Sequence, residues 1–254
     1  MKLGSNYIKK VLSGYSKLAQ YYDRIFYHPK KYDENTVEYL DKLFKSYKVK
    51  KILDCACGTG NPGIGLILKG YQVILSDGTK EMIKKAKEKA SNMEINIDVY
   101  HCDWFNLYKK FHYMAPFDAI ICSGNSFYHL PNPSARLFVL KNIAQLLKKG
   151  GILYLDYPEW GKEERFKVLP PFNEGISNIL IFRIIEYEGK HGRNHYFYII
   201  KETKRKILLK KIFIPGWKFS EKELFRLCKK AGFTSVNSVP YPGPHKHQAI
   251  VAKK

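Results

Sequence analysis

Apolar positions recur along this chain in two periods, and the order in which the periods alternate suggests a fold. Between residues 35 and 47, Val37, Leu40, Leu43 and Phe44 follow the three- and four-residue spacing of a helix with one buried face. Residues 51–63, Lys-Ile-Leu-Asp-Cys-Ala-Cys-Gly-Thr-Gly-Asn-Pro-Gly, then read as a buried strand, a glycine-rich turn and the start of a helix. Strand-like runs at 73–75, 97–100, 117–122 and 152–156 are interleaved with helical ones. The helix over 80–90 turns Met82, Ile83 and Ala86 inward. A second over 135–148 turns in Leu137, Leu140, Ile143, Leu146 and Leu147, and Gly150-Gly151 is expected to stop it. Such alternation predicts a parallel sheet covered by helices on both faces, with ligands at the carboxyl ends of its strands.

Residues 158–217 break the alternation. Runs at 179–187, 195–200 and 207–214 are β-branched and aromatic, with 188–193 as one turn, and predict an antiparallel insertion that roofs the cleft and helps choose the substrate. Ser220-Glu-Lys-Glu is a capping box for a helix that Gly232 ends, and 236–239 with 249–252 can close the sheet as an antiparallel pair. The opening segment, 7–23, is amphipathic and reads as a helical cover whose Tyr21 and Tyr22 can reach a bound ligand. The expected fold class is therefore α/β: a Rossmann-like, seven-stranded, mostly parallel sheet with helices on both faces and an antiparallel β insertion over the cleft. One domain is expected across 1–254, with 1–50 as an N-terminal helical cover and 158–217 as the insertion.

The glycine turn by itself fits several nucleotide-binding folds. Two strand-end acids narrow the choice. Asp54, four residues before Gly58, is a poor neighbour for a pyrophosphate and suits an ammonium group, while Asp77, at the end of the next apolar run, suits ribose hydroxyls. No Gly-Lys-Ser or Gly-Lys-Thr follows, so the lysine of a nucleoside-triphosphate loop is missing. A glycine turn, with Gly58 and Gly60, between two such acids points to S-adenosylmethionine. A Rossmann-like turn without this cofactor is the alternative reading.

Charge changes the picture less than its size suggests. Forty-four basic residues against 23 acidic ones give +21, which could serve nucleic acid. The lysines are spread along the chain, however, and the densest run, Lys201-Glu-Thr-Lys-Arg-Lys, fits a basic surface hairpin, so the charge does not require a nucleic-acid partner. The five cysteines are odd in number and sit in apolar surroundings, as reduced buried thiols do. Cys55 and Cys57 lack a second cluster and His245 and His247 lack a third ligand, so no metal is expected. No apolar stretch approaches a membrane span, the first seven residues lack the apolar block of a signal peptide, and a cytoplasmic place is expected.

Three stretches carry a resemblance to class I S-adenosylmethionine-dependent methyltransferases, and especially to the glycine N-methyltransferase and glycine/sarcosine methyltransferase group. They are Leu53-Asp-Cys-Ala-Cys-Gly-Thr-Gly, Phe117-Asp-Ala-Ile-Ile-Cys-Ser-Gly-Asn-Ser-Phe-Tyr-His-Leu-Pro and Leu140-Lys-Asn-Ile-Ala-Gln-Leu-Leu-Lys-Lys-Gly-Gly, the second being the most specific. Sugar-amine N,N-dimethyltransferases share the first stretch and the overall plan. The resemblance implies that Ala56 and Gly58 lie beside the cofactor's amino-acid portion, Asp77 on its ribose, and Asp103 and Trp104 at its adenine, with Met82 on the adenine face. It implies that Ser123, Gly124 and Asn125 contact cofactor and substrate and that His129 is the pocket histidine. Tyr22 and His129 are the candidates to orient the acceptor or receive its proton, and Tyr157, Tyr196, Tyr198 and Trp217 are expected to join Asn125 and His129 around the substrate.

Two departures bear on the acceptor. The group clamps its substrate carboxylate with an arginine two residues after the aspartate of the fifth strand; this chain has Asp156-Tyr157-Pro158. Its arginine for the cofactor carboxylate aligns near Asn35, with Lys30 and Lys31 as possible substitutes. The expected function is thus methyl transfer to a small-molecule amine, with free glycine a poor acceptor and an amino-sugar N-methyltransferase as one alternative. An RNA or protein methyltransferase is the alternative that the charge suggests, although the chain lacks an Asn-Pro-Pro-Tyr or Asp-Pro-Pro-Tyr sequence.

Overall fold

The computed structural model describes residues 5–26, 33–159, 166–172, 178–189, 192–204, 206–243 and 247–254. Lys30, Lys31 and His245 lie outside them. The chain opens with helices α1 (Ser5–Leu18), α2 (Tyr22–Phe26) and α3 (Glu34–Ser46). Asp33 caps α3 by accepting the Thr36 N–H, and Val37, Leu40 and Phe44 bury the predicted stripe. The alternating core follows: β1 (Lys51–Asp54), α4 (Gly63–Leu68), β2 (Gln72–Asp77), α5 (Lys80–Asn92), β3 (Asp98–His101), α6 (Leu107–Phe111), β4 (Phe117–Cys122), α7 (Pro133–Leu146) and β5 (Leu147–Pro158). Then come β6 (Phe166–Phe172), β7 (Ile179–Glu188), β8 (Gly192–Glu202) and β9 (Ile207–Ile214), and finally α8 (Glu221–Ala231), β10 (Ser235–Val239) and β11 (His247–Lys253).

The expected fold class is borne out. Seven strands pair in the order β10-β11-β5-β4-β1-β2-β3, with β11 antiparallel to both its neighbours. The chain leaves β1 toward β2 and β3 and then returns to the other side of β1 for β4, so a crevice opens between the carboxyl ends of β1 and β4. One apolar core lies beneath α6, α7 and α8, the other beneath α3 and α4. A second, antiparallel sheet has the order β6-β7-β8-β9.

One local expectation fails for an identifiable reason. Helix α7 ends at Leu146, because Leu147 already pairs with Phe117 in the ladder; the register then shifts, and the next pair is Ala119 with Ile152. Gly150, at φ +77°, and Gly151 therefore form an irregularity inside β5 instead of a helix stop. A Cβ on Gly151 would stand 3.0 to 3.2 Å from three backbone oxygens, so this is a close approach of main chains. Strand β6 adds to the runs read from the sequence, and it contains Pro170 and Pro171. It lies on the edge of the second sheet, and its register shifts between Leu169 and Phe172, which is where a ladder tolerates proline.

Helix α1 joins the two sheets. Gly14 rests on β9 so closely that a Cβ there would lie 2.6 Å from the Phe213 carbonyl oxygen and from Ile214, and Val11 and Leu18 pack with Phe197, Ile199 and Ile212. A second junction is made by Arg136 of α7, whose side chain is 1% exposed. Its guanidinium donates to Glu223 Oε1 at 2.8 Å, to the Leu130 carbonyl at 2.9 Å and to the Trp217 carbonyl at 3.2 Å, and lies over the Phe219 ring. The Ser220 hydroxyl caps α8 as predicted, accepting the Glu223 N–H at 3.1 Å, but the Glu223 carboxylate is committed to Arg136. Replacing Arg136 with alanine strands the buried Leu130 carbonyl and two partly buried acceptors and should lower unfolding stability by about 3 kcal/mol, read as a shifted denaturant midpoint at constant slope.

Candidate active site

At the end of β1 the chain turns sharply, and each strand-end acid is held by the turn it adjoins. Asp77 Oδ2 accepts the Gly58 N–H at 3.0 Å and Oδ1 accepts the Thr79 N–H at 2.8 Å, so one carboxylate ties the glycine turn to the start of α5. Gly58 (φ +52°) faces Tyr22, whose ring a Cβ on the glycine would touch at 3.7 Å. Asp103 caps the next turn by accepting the Phe105 N–H at 2.9 Å, and the Trp104 indole N–H donates to the Cys55 carbonyl at 2.7 Å, which fixes the ring plane.

These groups line a cleft whose space, counted out into the open solvent at its mouth, is about 680 Å³. It runs from Asp103 on the β3 side, past Asp77 and the glycine turn, to Ser126 and His129 in the loop after β4. Ile8, Val11, Leu12 and Tyr15 of α1 form one wall. The N-terminal cover is fastened by Asp23, which pairs with the buried Lys89 of α5 at 2.9 Å and accepts from the Thr59 hydroxyl. Burial lowers the Lys89 pKa, and Asp23 opposes that fall.

His129 is the most constrained side chain of the cleft. Its Nδ1 lies 2.6 Å from the Pro215 carbonyl oxygen, which can only accept, so Nδ1 carries the proton and Nε2 offers a lone pair. The Tyr15 hydroxyl, 2.7 Å from Nε2, donates to it and keeps its own oxygen lone pairs for the cleft. Burial drives the His129 pKa down to about 4, with Arg193 adding to the fall, so the ring is neutral at neutral pH. Burial likewise raises Tyr15 well above the ordinary phenol value and keeps it protonated.

Of the residues expected from sequence, the structure brings Tyr22, Ala56, Gly58, Asp77, Met82, Asp103, Trp104 and His129 together around this cleft. Others are elsewhere. Asp54 is fully buried beneath the turn; Oδ1 accepts the Ala56 N–H at 3.2 Å and Oδ2 has no partner. Burial pushes its pKa well up, and Asp77 and Asp156 add to that, which makes it a poor counterion for an ammonium group. Gly60 (φ +101°) serves packing, since a Cβ there would meet Ile64 at 2.5 Å. Ser123 is buried and accepts from the Ser126 hydroxyl through its carbonyl at 2.8 Å. Asn125, in the left-handed region at φ 58°, turns its amide to His247 on β11. Its neighbour Ser126 faces the cleft.

The aromatic residues expected at the substrate need correcting as well. Tyr157 is fully buried and packs on Phe219. Alternation along β8 puts Phe197 and Ile199 toward α1, so Tyr196 and Tyr198 point to the opposite face, where Tyr196 binds Glu186. Trp217 gives its N–H to the Tyr128 carbonyl and is not part of the cleft wall. Sequence reasoning missed Tyr15, although Ile8, Val11, Leu12 and Tyr15 repeat at i, i+3, i+4 and i+7 and so mark one helix face. Among the described residues, no cluster of three metal-binding side chains occurs.

The chain is similar to known proteins in sequence and in structure. Residues 52–151 match the family described as methyltransferase domain. The chain is 40% identical over 119 residues to the glycine/sarcosine N-methyltransferase of Aphanothece halophytica, covering 47% of this chain and 44% of that protein. It thus spans less than half the length of that relative. In structure it is similar to an S-adenosylmethionine-dependent methyltransferase from Clostridium acetobutylicum, with TM-score 0.73 and 17% identity over 94% of this chain and 98% of that one. It is also similar to the sugar N-methyltransferase KedS8 of a Streptoalloteichus species, with TM-score 0.71 and 16% identity over 87% of each. The resemblance to class I methyltransferases, with the glycine N-methyltransferase group among them, is borne out.

The donor set fits S-adenosylmethionine. Asp77 spends one lone pair of each oxygen on the backbone and retains others toward the cleft it lines, as ribose hydroxyls require. Trp104 and Met82 offer apolar surface for a purine. Replacing Asp77 with alanine should remove charge-assisted hydrogen bonds worth about 1.5 to 3 kcal/mol and weaken binding of S-adenosylhomocysteine by about tenfold or more in calorimetry.

Proposed function

We propose that this chain transfers the methyl group of S-adenosylmethionine to the nitrogen of a small-molecule amine. The observation that carries the reading is the junction of two sets of groups in one cleft: Asp77, Asp103 and Trp104 on one side, the Tyr15–His129 pair on the other, with α1 as the wall between cleft and second sheet. When bound, the sulfonium supplies a methyl already activated toward an amine lone pair. The protein's part is then positioning and exclusion of water. Tyr15 is placed to accept an N–H of the acceptor, because its own proton is committed to His129 Nε2. That leaves the amine lone pair free for attack. With a pKa near 4, His129 does not retain a proton at neutral pH, so its work is to hold Tyr15 in one orientation, and the proton released from the product goes to solvent. Tyr22 closes the cleft over the glycine turn.

The acceptor follows from the position at which the resembled group clamps a carboxylate. Here Pro158 pairs in register with His247 of β11, and His247 is hydrogen-bonded to Asn125. Proline supplies neither a cation nor a backbone donor. The missing fork favours a larger or less acidic amine over glycine.

Two measurements test the reading. Methyl transfer from labelled cofactor should be saturable with at least one member of a panel of amino sugars, aromatic amines and N-methyl amino acids. Glycine should be at least about tenfold worse in kcat/KM, the loss of one charged contact. Efficient glycine turnover would refute the acceptor assignment, and transfer only to RNA or protein would refute the small-molecule class. Tyr15→Phe should lower kcat by about tenfold or more while leaving cofactor affinity within a factor of about two; equal loss in both would make Tyr15 a cofactor-binding group instead.

A further inference from the structure

Between Asp103 and Asp156 the chain holds one acid, Asp118, against five lysines and Arg136. The outer surface of that stretch is made by α6 and α7, joined where Asn142 of α7 donates to the Trp104 and Phe105 carbonyls at 3.4 and 3.5 Å. Helical spacing gives α7 one exposed edge of Ser134, Phe138, Lys141 and Gln145, and Lys149 follows at its foot. On α6 and in the turn after it, Tyr108, Lys109, His112 and Tyr113 are exposed. Arg136 is buried, and Asp118 pairs with Lys148 and accepts the Lys50 and Lys51 N–H groups. Among the described residues, Lys109, Lys110, Lys141 and Lys149 pair with no carboxylate.

Neighbouring elements keep the sign. Helix α8 packs on α7 and exposes Lys222, Arg226, Lys229 and Lys230, while its Glu223 is held by Arg136 and its Glu221 accepts from the Ser238 hydroxyl. On the opposite border, Glu94 stands in the turn before β3 and Asp98 at its first residue, and Asp103 is spent on capping the turn before α6. The rings of this surface touch one another. Phe105 and Phe138 stack with centroids 5.9 Å apart, Tyr108 lies 5.7 Å from His112, and His112 lies 5.7 Å from Tyr113. Tyr108, Tyr113 and Phe138 are 43%, 61% and 39% exposed.

Exposed rings interleaved with lysines are the two parts of a single-strand site: a base stacks on a ring whatever its identity, and the lysines follow the phosphates. We propose that the α6–α7 surface binds single-stranded nucleic acid, with bases on Tyr108, Tyr113 and Phe138 and phosphates along Lys109, Lys110, Lys141 and Lys149. An anionic membrane would match the charge, but it takes up aliphatic side chains as its anchors. The exposed large apolar residues described on α6, on α7 and in the turn after α6 are all aromatic, and aliphatic ones such as Leu68 and Leu209 stand on α4 and the second sheet. Of the rings on this surface Phe105 alone also lines the cleft, so the inference does not draw on the methyl acceptor.

Fluorescence anisotropy of a labelled oligouridylate of about 15 nucleotides, titrated with the full chain, tests it. A low-micromolar Kd is expected at about 0.1 M salt, and at about −0.7 per phosphate contact the four lysines give a log–log salt slope of about −3. Tyr108→Ala and Tyr113→Ala should each weaken binding about tenfold, the loss of one stack, at an unchanged slope and an unchanged circular-dichroism melt. Lys109→Gln combined with Lys110→Gln should instead flatten the slope by about 1.4. A duplex of the same length keeps its bases stacked on one another and should bind at least about tenfold more weakly. No binding at about 50 mM salt overturns the proposal, and so does equal affinity for the duplex. Binding indifferent to both tyrosine substitutions overturns the surface, and capture by acidic-lipid vesicles in preference to the oligonucleotide would make a membrane the occupant.

Discussion

The cleft depends on carboxylates that hold the backbone of the turns beside them. Asp77 takes the N–H groups of Gly58 and Thr79, and Asp156, at the end of β5, takes those of Gly124 and Asn125 at 3.1 and 2.5 Å. A chain leaving the end of a parallel strand has lost its ladder partners, and a buried N–H without an acceptor is costly. The acids supply those acceptors, and so decide where each turn goes. They also make an electrostatically crowded place. Burial pushes Asp156 up to about 7 in spite of its two backbone donors, and it raises Asp77 and Asp54 in the same direction.

Helix α1 gives that crowded place its enclosure. One face of the helix contributes Ile8, Leu12 and Tyr15 to the cleft, and Gly14 on another face lets the backbone rest on β9. The second sheet therefore acts on the cleft at one remove. It positions α1, and the Pro215 carbonyl just after β9 fixes the tautomer of His129 and, through it, the direction of the Tyr15 hydroxyl. A shift of the sheet would be felt as a reorientation of that hydroxyl.

Arg136 serves the same end from the other side. By bonding to the Leu130 and Trp217 carbonyls it keeps the loop that carries His129 beside the loop that carries Pro215. Its guanidinium is buried among backbone oxygens, with one partly exposed carboxylate as counterion, an arrangement that holds only when every partner is in place.

The sequence by itself determined much of this protein. Helix and strand periods, the glycine turn and the paired strand-end acids are local patterns, and local patterns predicted the parallel core, the antiparallel insertion and one side of the cleft: Gly58, Asp77, Met82, Asp103 and Trp104 all line it. Tertiary structure decided what depends on a direction that spacing leaves open. Whether Asp54 looks into the cleft or under the turn depends on what packs behind it, here Gly63, and one residue of register decides whether β8 shows the cleft side Tyr196 or Phe197. Tyr15 reaches His129 across 114 residues, and His129 reaches Pro215 across 86. Nothing in the linear chain couples those three positions; the packing of α1 between two sheets does.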